Sequence, residues 1–565
     1  MKGDFTRLTF DPEKHFSRVL MQQGRVTLDA DWNEQSSILL HYLRTLARDL
    51  IGPYAAPVEN PGFVLTTGNN SLLIGAGRYY VDGILVENDT ECSYETQPAY
   101  PVPGSDPFLK PSQGNEFWLY LDVWERHVTI IEDDSIREPA LGGPDTCTRS
   151  KIVWQIKALP IDTVKKATAE RVARLKAEQS KLQKQLKAAD GTSQKAIQAR
   201  LNVIKVKIEE APPISPNGEP GTMDCHSPLE NLVGLSAPAM AARVDPGIRT
   251  EDACVTPPDS KYRGAENQFY RVEIHRGGAA GEATFKWSRN NGSVAAAWLG
   301  TDGNDLQVGR THGFTAGNWV ELCDDNMELG GQPGILVQLV KVEGGTLSVD
   351  PATTLPPISK YPTNPKVRLW NQMATDAIVL ADDSAIPVQE SPAGATADHI
   401  VWLDLEDGVQ IQFSNGGNYR TGDYWWFPAR VATGKVEWPQ ADDLNPQPLP
   451  PHGVKHHYAP LGFVSWNGKE WDITKNCQCD FEPLSSCFVR TAQAADAPGS
   501  LIIKPSAPTR RTAAVVATPI APIEATTKAV ATAPPKRATV RKKTPKARKR
   551  QAKKGPASPA EGAPS

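Results

Sequence analysis

Two hydrophobic periods divide the chain. In "RYYVDGILVEN" (residues 78–88) apolar and polar positions alternate on either side of Asp82-Gly83, which predicts a hairpin turned by a dipeptide suited to positive φ. "EFWLYLDVWERHVTII" and "SKIVWQIKAL" continue the strand pattern to residue 160. It returns between residues 262 and 480 in "NQFYRVEIHRGG", "EATFKWSRNNGSVAAAW", "GNWVELCDD", "GILVQLVKVEGGTLSVD", "VQIQFSNGGNYRTGDYWWFPARV" and "HHYAPLGFVSWNG". Short strands separated by Gly, Asn and Asp turns predict sandwich-like or barrel-like modules. The helix-alternating rhythm of a doubly wound sheet is missing, and so is a fixed-period repeat.

The helical period of 3.6 occurs in two places. Near the start, "QQGRVTLDADWNEQ" (residues 22–35) predicts a short strand carrying Val26 and Leu28, then a helix capped by Asp31 with Glu34 behind it. Trp32, Leu39, Leu43, Leu46 and Leu50 recur at helical spacing until Gly52-Pro53 ends the run. Between residues 165 and 210, Val172, Leu175, Leu182 and Leu186 form one seam, and Ile197, Leu201, Ile204 and Ile208 a second. Residues 189–192 separate them, which predicts an antiparallel helical hairpin inserted into a β protein.

The expected architecture is a mainly β chain with an N-terminal helix, the inserted hairpin and a disordered C-terminal tail. Its segments are an attachment element at 1–52, a β module at 53–164, the hairpin at 165–211, a Pro/Gly-rich linker at 212–261, one or more β modules at 262–488 and the tail at 489–565. Composition sharpens this division. The net charge of −4 over 565 residues conceals a balance of +13 from Lys504 onward against −17 for the rest. A low-complexity cationic tail of this kind cannot offset its ordering entropy, and it attracts nucleic acid or acidic surfaces without sequence preference. Eight cysteines in so long a chain do not predict a disulfide framework. Neither a secretory h-region nor an apolar run long enough to span a membrane is present, so synthesis in the cytoplasm is expected.

Candidate chemistry is sparse. His452, His456 and His457 lie close together in "PHGVKHHY", and Cys477, Cys479 and Cys487 follow, so these six are the candidate metal ligands. The histidine run lacks a neighbouring carboxylate, and a structural role is the simpler expectation for all six. Carboxylates such as Glu132-Asp133-Asp134, Asp324-Asp325 and Glu406-Asp407 sit in turns, and only their separation in space would make a catalytic pair of any two. The glycines at 75, 77, 277, 278 and 281 have no following helix and fail the context of a phosphate loop. No catalytic or cofactor signature emerges. The tryptophans at 118, 124, 154, 287, 319, 425 and 426 are expected in cores; exposed together, they would suit a sugar ligand.

Several of these segments, taken in order, are similar to a known group. "MKGDFTRLTFDPEKHFSRVLMQQGRVTLDADWNEQ", "YYVDGILVEN", "YRGAENQFYRVEIH", "ATFKWSRNNGSV", "LEDGVQIQF", "YRTGDYWWFPAR" and "HGVKHHYAPL" together resemble a family of functionally uncharacterised bacterial proteins often encoded with contractile injection systems, machines related to phage tails. The opening stretch is also similar to attachment segments of some phage tail-fibre and baseplate proteins. The resemblance spans roughly residues 1–485 and carries no catalytic or binding residues with it. It implies a non-enzymatic component of a phage-tail-like particle (peripheral baseplate, fibre-like or attachment), with baseplate proteins, other particle proteins or another copy as partners. Trp32, Leu39, Leu43 and Leu46 are the expected partner-binding residues. The alternatives from the residues themselves are a carbohydrate or cell-surface binding module and a glycan hydrolase.

Overall fold

A computed structural model describes residues 1–68, 71–188, 191–209, 225, 238–247, 261–374, 378–392, 400–439 and 446–483. The expected tail at 489–565, most of the linker at 212–261 and Cys487 lie outside the described residues.

The described chain is mainly β, arranged as three nested modules. In the outer one, strand Glu116–Val128 pairs antiparallel with Arg149–Pro160 on one edge and with His456–Trp466 on the other. Strand Tyr54–Pro57 lies between Gly77–Val81 and the late strand Asp480–Phe481. Residues 456–481 thus complete the sheets begun by residues 54–160, a return that no division of the chain into consecutive segments anticipates. The core between these sheets buries Phe63, Tyr79, Leu119, Trp154 and Leu461.

The middle module is inserted into the first. Strand Gln268–Arg276 sits between Thr284–Ser288 and Tyr424–Arg430, and Val409–Phe413 pairs with Met240–Val244, within what had read as linker. Trp287, Phe413, Trp425 and Phe427 fill its core. Inserted in turn is a closed barrel of six strands from Ala295–Asp302 to Lys366–Trp370, around Trp298, Leu306, Val320, Leu347 and Leu369. Of the seven tryptophans expected in cores, Trp118, Trp124, Trp154, Trp287 and Trp425 are buried, and Trp319 and Trp426 are partly buried.

Helix Ile161–Ala188 continues directly from strand Arg149–Pro160 and packs against Gly191–Glu209 through Leu182, Leu201 and Ile204. Arg200 Nη2 reaches Glu178 Oε1 at 2.7 Å, which fixes the pair as an antiparallel hairpin. The turn at Asp82-Gly83 also forms as expected, with φ of 50° and 78° joining Val81 to its partner Ile84.

The predicted strand at Val26 and Leu28 is not present. Residues 25–28 are irregular, because no neighbouring strand offers its backbone a ladder among the described residues. Nor is Asp31 the cap of the following helix. Helix Asp29–Ile51 starts two residues earlier, and the Asp31 carboxylate accepts the Leu28 backbone N–H at 3.0 Å from inside the first turn. Gly52, at φ 97°, closes the helix by donating its N–H to the Arg48 carbonyl at 2.8 Å.

Candidate functional site

The helix at residues 29–51 has its apolar face outward. Ile38 is buried, but Trp32 is 68% exposed, Leu43 62% and Leu46 57%, with Leu39, Leu40, Tyr42 and Leu50 exposed beside them. Ahead of the helix, Phe16, Leu20, Met21, Val26 and Leu28 are exposed too, so among the described residues twelve of the 23 large exposed apolar side chains fall between residues 16 and 50. A monomer rarely leaves so concentrated a patch open to water.

What holds the helix in this attitude is polar. Arg44 pairs with Glu125 of the outer module, and Arg48 Nε lies 3.6 Å from Asp82 Oδ1 at the hairpin turn. Asp82 Oδ2 is 2.9 Å from His457 Nδ1; that hydrogen bond, helped by Arg48, keeps the carboxyl below its ordinary range against the effect of burial. The helix backbone passes so close to the turn that a Cβ on Gly83 would stand 2.0 Å from the Arg44 carbonyl oxygen. At the other end the Asp29 carboxylate accepts the Thr6 N–H at 2.9 Å. The underside is therefore pinned by charge and shape, and the seam of Trp32, Leu39, Leu43 and Leu46 faces away from the body.

A second feature, unforeseen from the sequence, lies where the three modules meet. Lys366 Nζ from the barrel contacts Glu132 Oε1 (2.5 Å), Asp325 Oδ1 (2.8 Å) and Glu328 Oε2 (3.1 Å). Burial alone would lower its pKa, but Glu328, Glu132 and Asp325 outweigh that and raise it, while Lys366 draws Glu132 down to about 2 against the effect of burial. Beside it, Lys286 Nζ lies 2.5 Å from Glu321 Oε1 and 3.5 Å from Glu273 Oε1, and Arg271 Nη2 lies 2.6 Å from Glu273 Oε2. Burial pushes the Glu321 carboxyl up, yet Lys286 and Lys2 hold it near 2.

The start of the chain is threaded into this cluster. Lys2 Nζ reaches Glu273 Oε1 at 3.2 Å, the Met1 amine donates to Tyr424 Oη at 2.8 Å, and the Met1 carbonyl accepts from Arg271 and Asn291. A cavity of about 470 Å³ opens alongside, lined by Lys2, Arg126, Glu132, Arg271, Glu273 and Glu328 among others. Its carboxylates are ion-paired to Lys or Arg, and among the described residues the trio within 4.8 Å that could share a metal, Glu132, Asp325 and Glu328, has the Lys366 ammonium at its centre.

The signal for this cluster was in the strands themselves. Arg271, Glu273 and His275 alternate with Val272 and Ile274, and Lys366 and Arg368 with Val367 and Leu369, so each strand has an apolar face and a buried charged face. Charged alternation reads as a solvent face in a single sequence, which is why it passed unnoticed.

The structure scatters the five candidate metal ligands among the described residues. His452 Nδ1 accepts the Trp426 N–H at 3.1 Å, His456 Nδ1 is 2.7 Å from Asp122 Oδ1, and His457 turns to Asp82. Alternation along strand His456–Trp466 sends the two adjacent imidazoles to opposite faces. Cys477 is joined to Cys225 in a disulfide, a crosslink the cysteine count had argued against, and Cys479 is exposed. Of the tryptophans proposed to report on a sugar groove, Trp124, Trp287 and Trp425 are buried and Trp426 is partly buried against His452.

No curated protein matches the chain. Among solved structures, the crystal structure of TssK aligns at 10% identity over 64% of this chain and 96% of that one, with a TM-score of 0.15, a value too low to carry an argument about fold. The model of DUF6519, a family of unknown function, matches residues 1–554, and the chain therefore belongs to that family.

Proposed function

We propose that the protein is a non-enzymatic structural component of a phage-tail-like contractile injection particle, docked to its neighbours through the helix at residues 29–51. The observation that carries this reading is the outward apolar face of that helix, fixed from beneath by Arg44, Arg48 and the close approach at Gly83. Burying such a face against a partner removes it from water, at about 25 cal/mol per Å² of apolar surface. The similarity of the ordered sequence motifs to proteins encoded with injection systems supplies the particle. Synthesis in the cytoplasm followed by assembly into a particle fits the same reading. The basic tail supplies a second, electrostatic contact to nucleic acid or to an acidic neighbour.

Deleting residues 1–52 is a poor test, since Met1 and Lys2 belong to the charge cluster of the body. The better variant is Trp32→Glu combined with Leu43→Glu, both on the exposed face. Particles purified from the host should lose the variant while its thermal unfolding stays that of the parent. Retention of the double variant at parental level would refute the docking role.

A further inference from the structure

The exposed helix has a more specific geometry than a general apolar patch. Trp32, Ser36, Leu39, Leu43, Leu46 and Leu50 follow one another at intervals of four, three, four, three and four residues. That is the 3.5-residue period of a seam that packs against another helix, knobs into holes. Within helix Asp29–Ile51 the seam from Trp32 to Leu50 runs about 27 Å at 1.5 Å per residue.

We propose that this seam pairs with the same seam of a second copy of the chain, so that the protein self-associates through helix Asp29–Ile51. The inference rests on the docking role given to the helix above, but not on the particle. Three observations favour a second copy as the occupant. The positions flanking the seam are Asn33, Gln35, Leu40, Tyr42, Ala47 and Asp49, a single charge in six. Rows of charge at these positions are what select a foreign helix and repel an identical one, and here they are missing. The area is also sufficient. The seven exposed apolar side chains of the helix, six of them more than half exposed, present on the order of 800 Å², comparable with the roughly 800 Å² buried by each partner of a standard interface. Finally, the helix is already oriented. Arg44 and Arg48 fix its underside, so pairing costs little of the ordering entropy that a free segment would lose.

The test is the solution mass of the purified full-length chain, by sedimentation, across a wide range of concentration. Self-association is expected, with a mass of at least twice that of one chain. Leu43→Glu combined with Leu46→Glu should raise the dissociation constant by more than about a hundredfold and return the single-chain mass. Leu299→Glu, at an exposed leucine of the barrel, should leave association intact. A single-chain mass for the parent at every concentration overturns the proposal, and so does association unchanged in the Leu43/Leu46 variant. The two readings separate cleanly. A parent protein that is monomeric yet present on particles defeats self-association alone, whereas an oligomer never recovered with particle proteins defeats the particle alone.

Discussion

Lys2 and Glu273 form an ion pair, 3.2 Å between Nζ and Oε1, that ties the second residue of the chain to the central strand of the middle module. The Lys2 side chain keeps 19% of its surface exposed and the Glu273 side chain 3%, so the carboxylate is the partner that depends on the pair. Burial works to raise the Glu273 pKa, yet Lys2, Arg271 and Lys286 together hold it far below its ordinary value. The first two residues, well ahead of the exposed helix, are thereby part of the body.

Lys2→Ala should cost about 2–4 kcal/mol, because removing one partner of a buried pair leaves the other charge under-compensated. Equilibrium urea unfolding checks this through a lowered midpoint. An unchanged midpoint would mean that Arg271 and Lys286 satisfy Glu273 by themselves.

Lys366→Met should be more damaging, at about 3–5 kcal/mol, since it strips the one ammonium that Glu132, Asp325 and Glu328 share. The smaller Lys366→Ala should leave a vacancy beside the three carboxylates, which Arg126 still partly neutralises at Asp325 and Glu328, with room for a hard divalent cation in place of the ammonium. Millimolar calcium is expected to raise the melting temperature of Lys366→Ala and not that of the parent. Equal shifts in both would refute the vacancy.

Acid should destabilise the protein in two stages. His127 is held down to about 3, chiefly by burial and then by the terminal amine; His275 and His452 are held to about 4 by burial and by Lys286 and Lys455 respectively. Each is neutral in the fold and gains a proton on unfolding once the pH drops below about 6.5, so its stability contribution is present above that pH and is lost as pH falls toward the folded value. Glu132 and Glu321, both near 2, add their losses below about pH 4.5. Asp423 works in the opposite sense, since burial lifts it to about 7 and its contribution is lost as pH rises from about 3.8 toward 7. The unfolding midpoint should decline between about pH 6.5 and 4.5, and His127→Gln should flatten that decline.

Gly83→Ala should uncouple the helix from the hairpin. The new Cβ would meet the Arg44 carbonyl at 2.0 Å as well as adopting a φ of 78°. Gly303 also has positive φ, 58°, but open space around it. Gly303→Ala therefore isolates the backbone cost of about 1 kcal/mol, and Gly83→Ala should exceed it by at least as much again. Denaturant midpoints of the two variants make the comparison.

Much of the local structure was legible. The Asp82-Gly83 turn, the helical hairpin with Leu182 and Leu201 at its seam, and the buried tryptophans each follow from spacing between near neighbours. The strand expected at Val26 failed because alternation supplies a face without supplying a partner strand. The charge cluster escaped notice because Arg271, Glu273, Lys286 and Lys366 carry the same pattern whether a strand's polar side meets water or another module.

The sequence by itself determined most of the segments that become strand, turn or helix, though neither the irregular stretch at 25–28 nor strand Met240–Val244, and that the first long helix carries a leucine seam with weakly charged flanks. Tertiary structure alone decided that His456–Trp466 returns to pair with Glu116–Val128, that Met1 and Lys2 enter a shared cluster, and that the seam faces outward. The reason is range. Periodicity reports the faces of one element over a few residues, whereas pairing, ion-pair partners and exposure depend on which distant element arrives at each face.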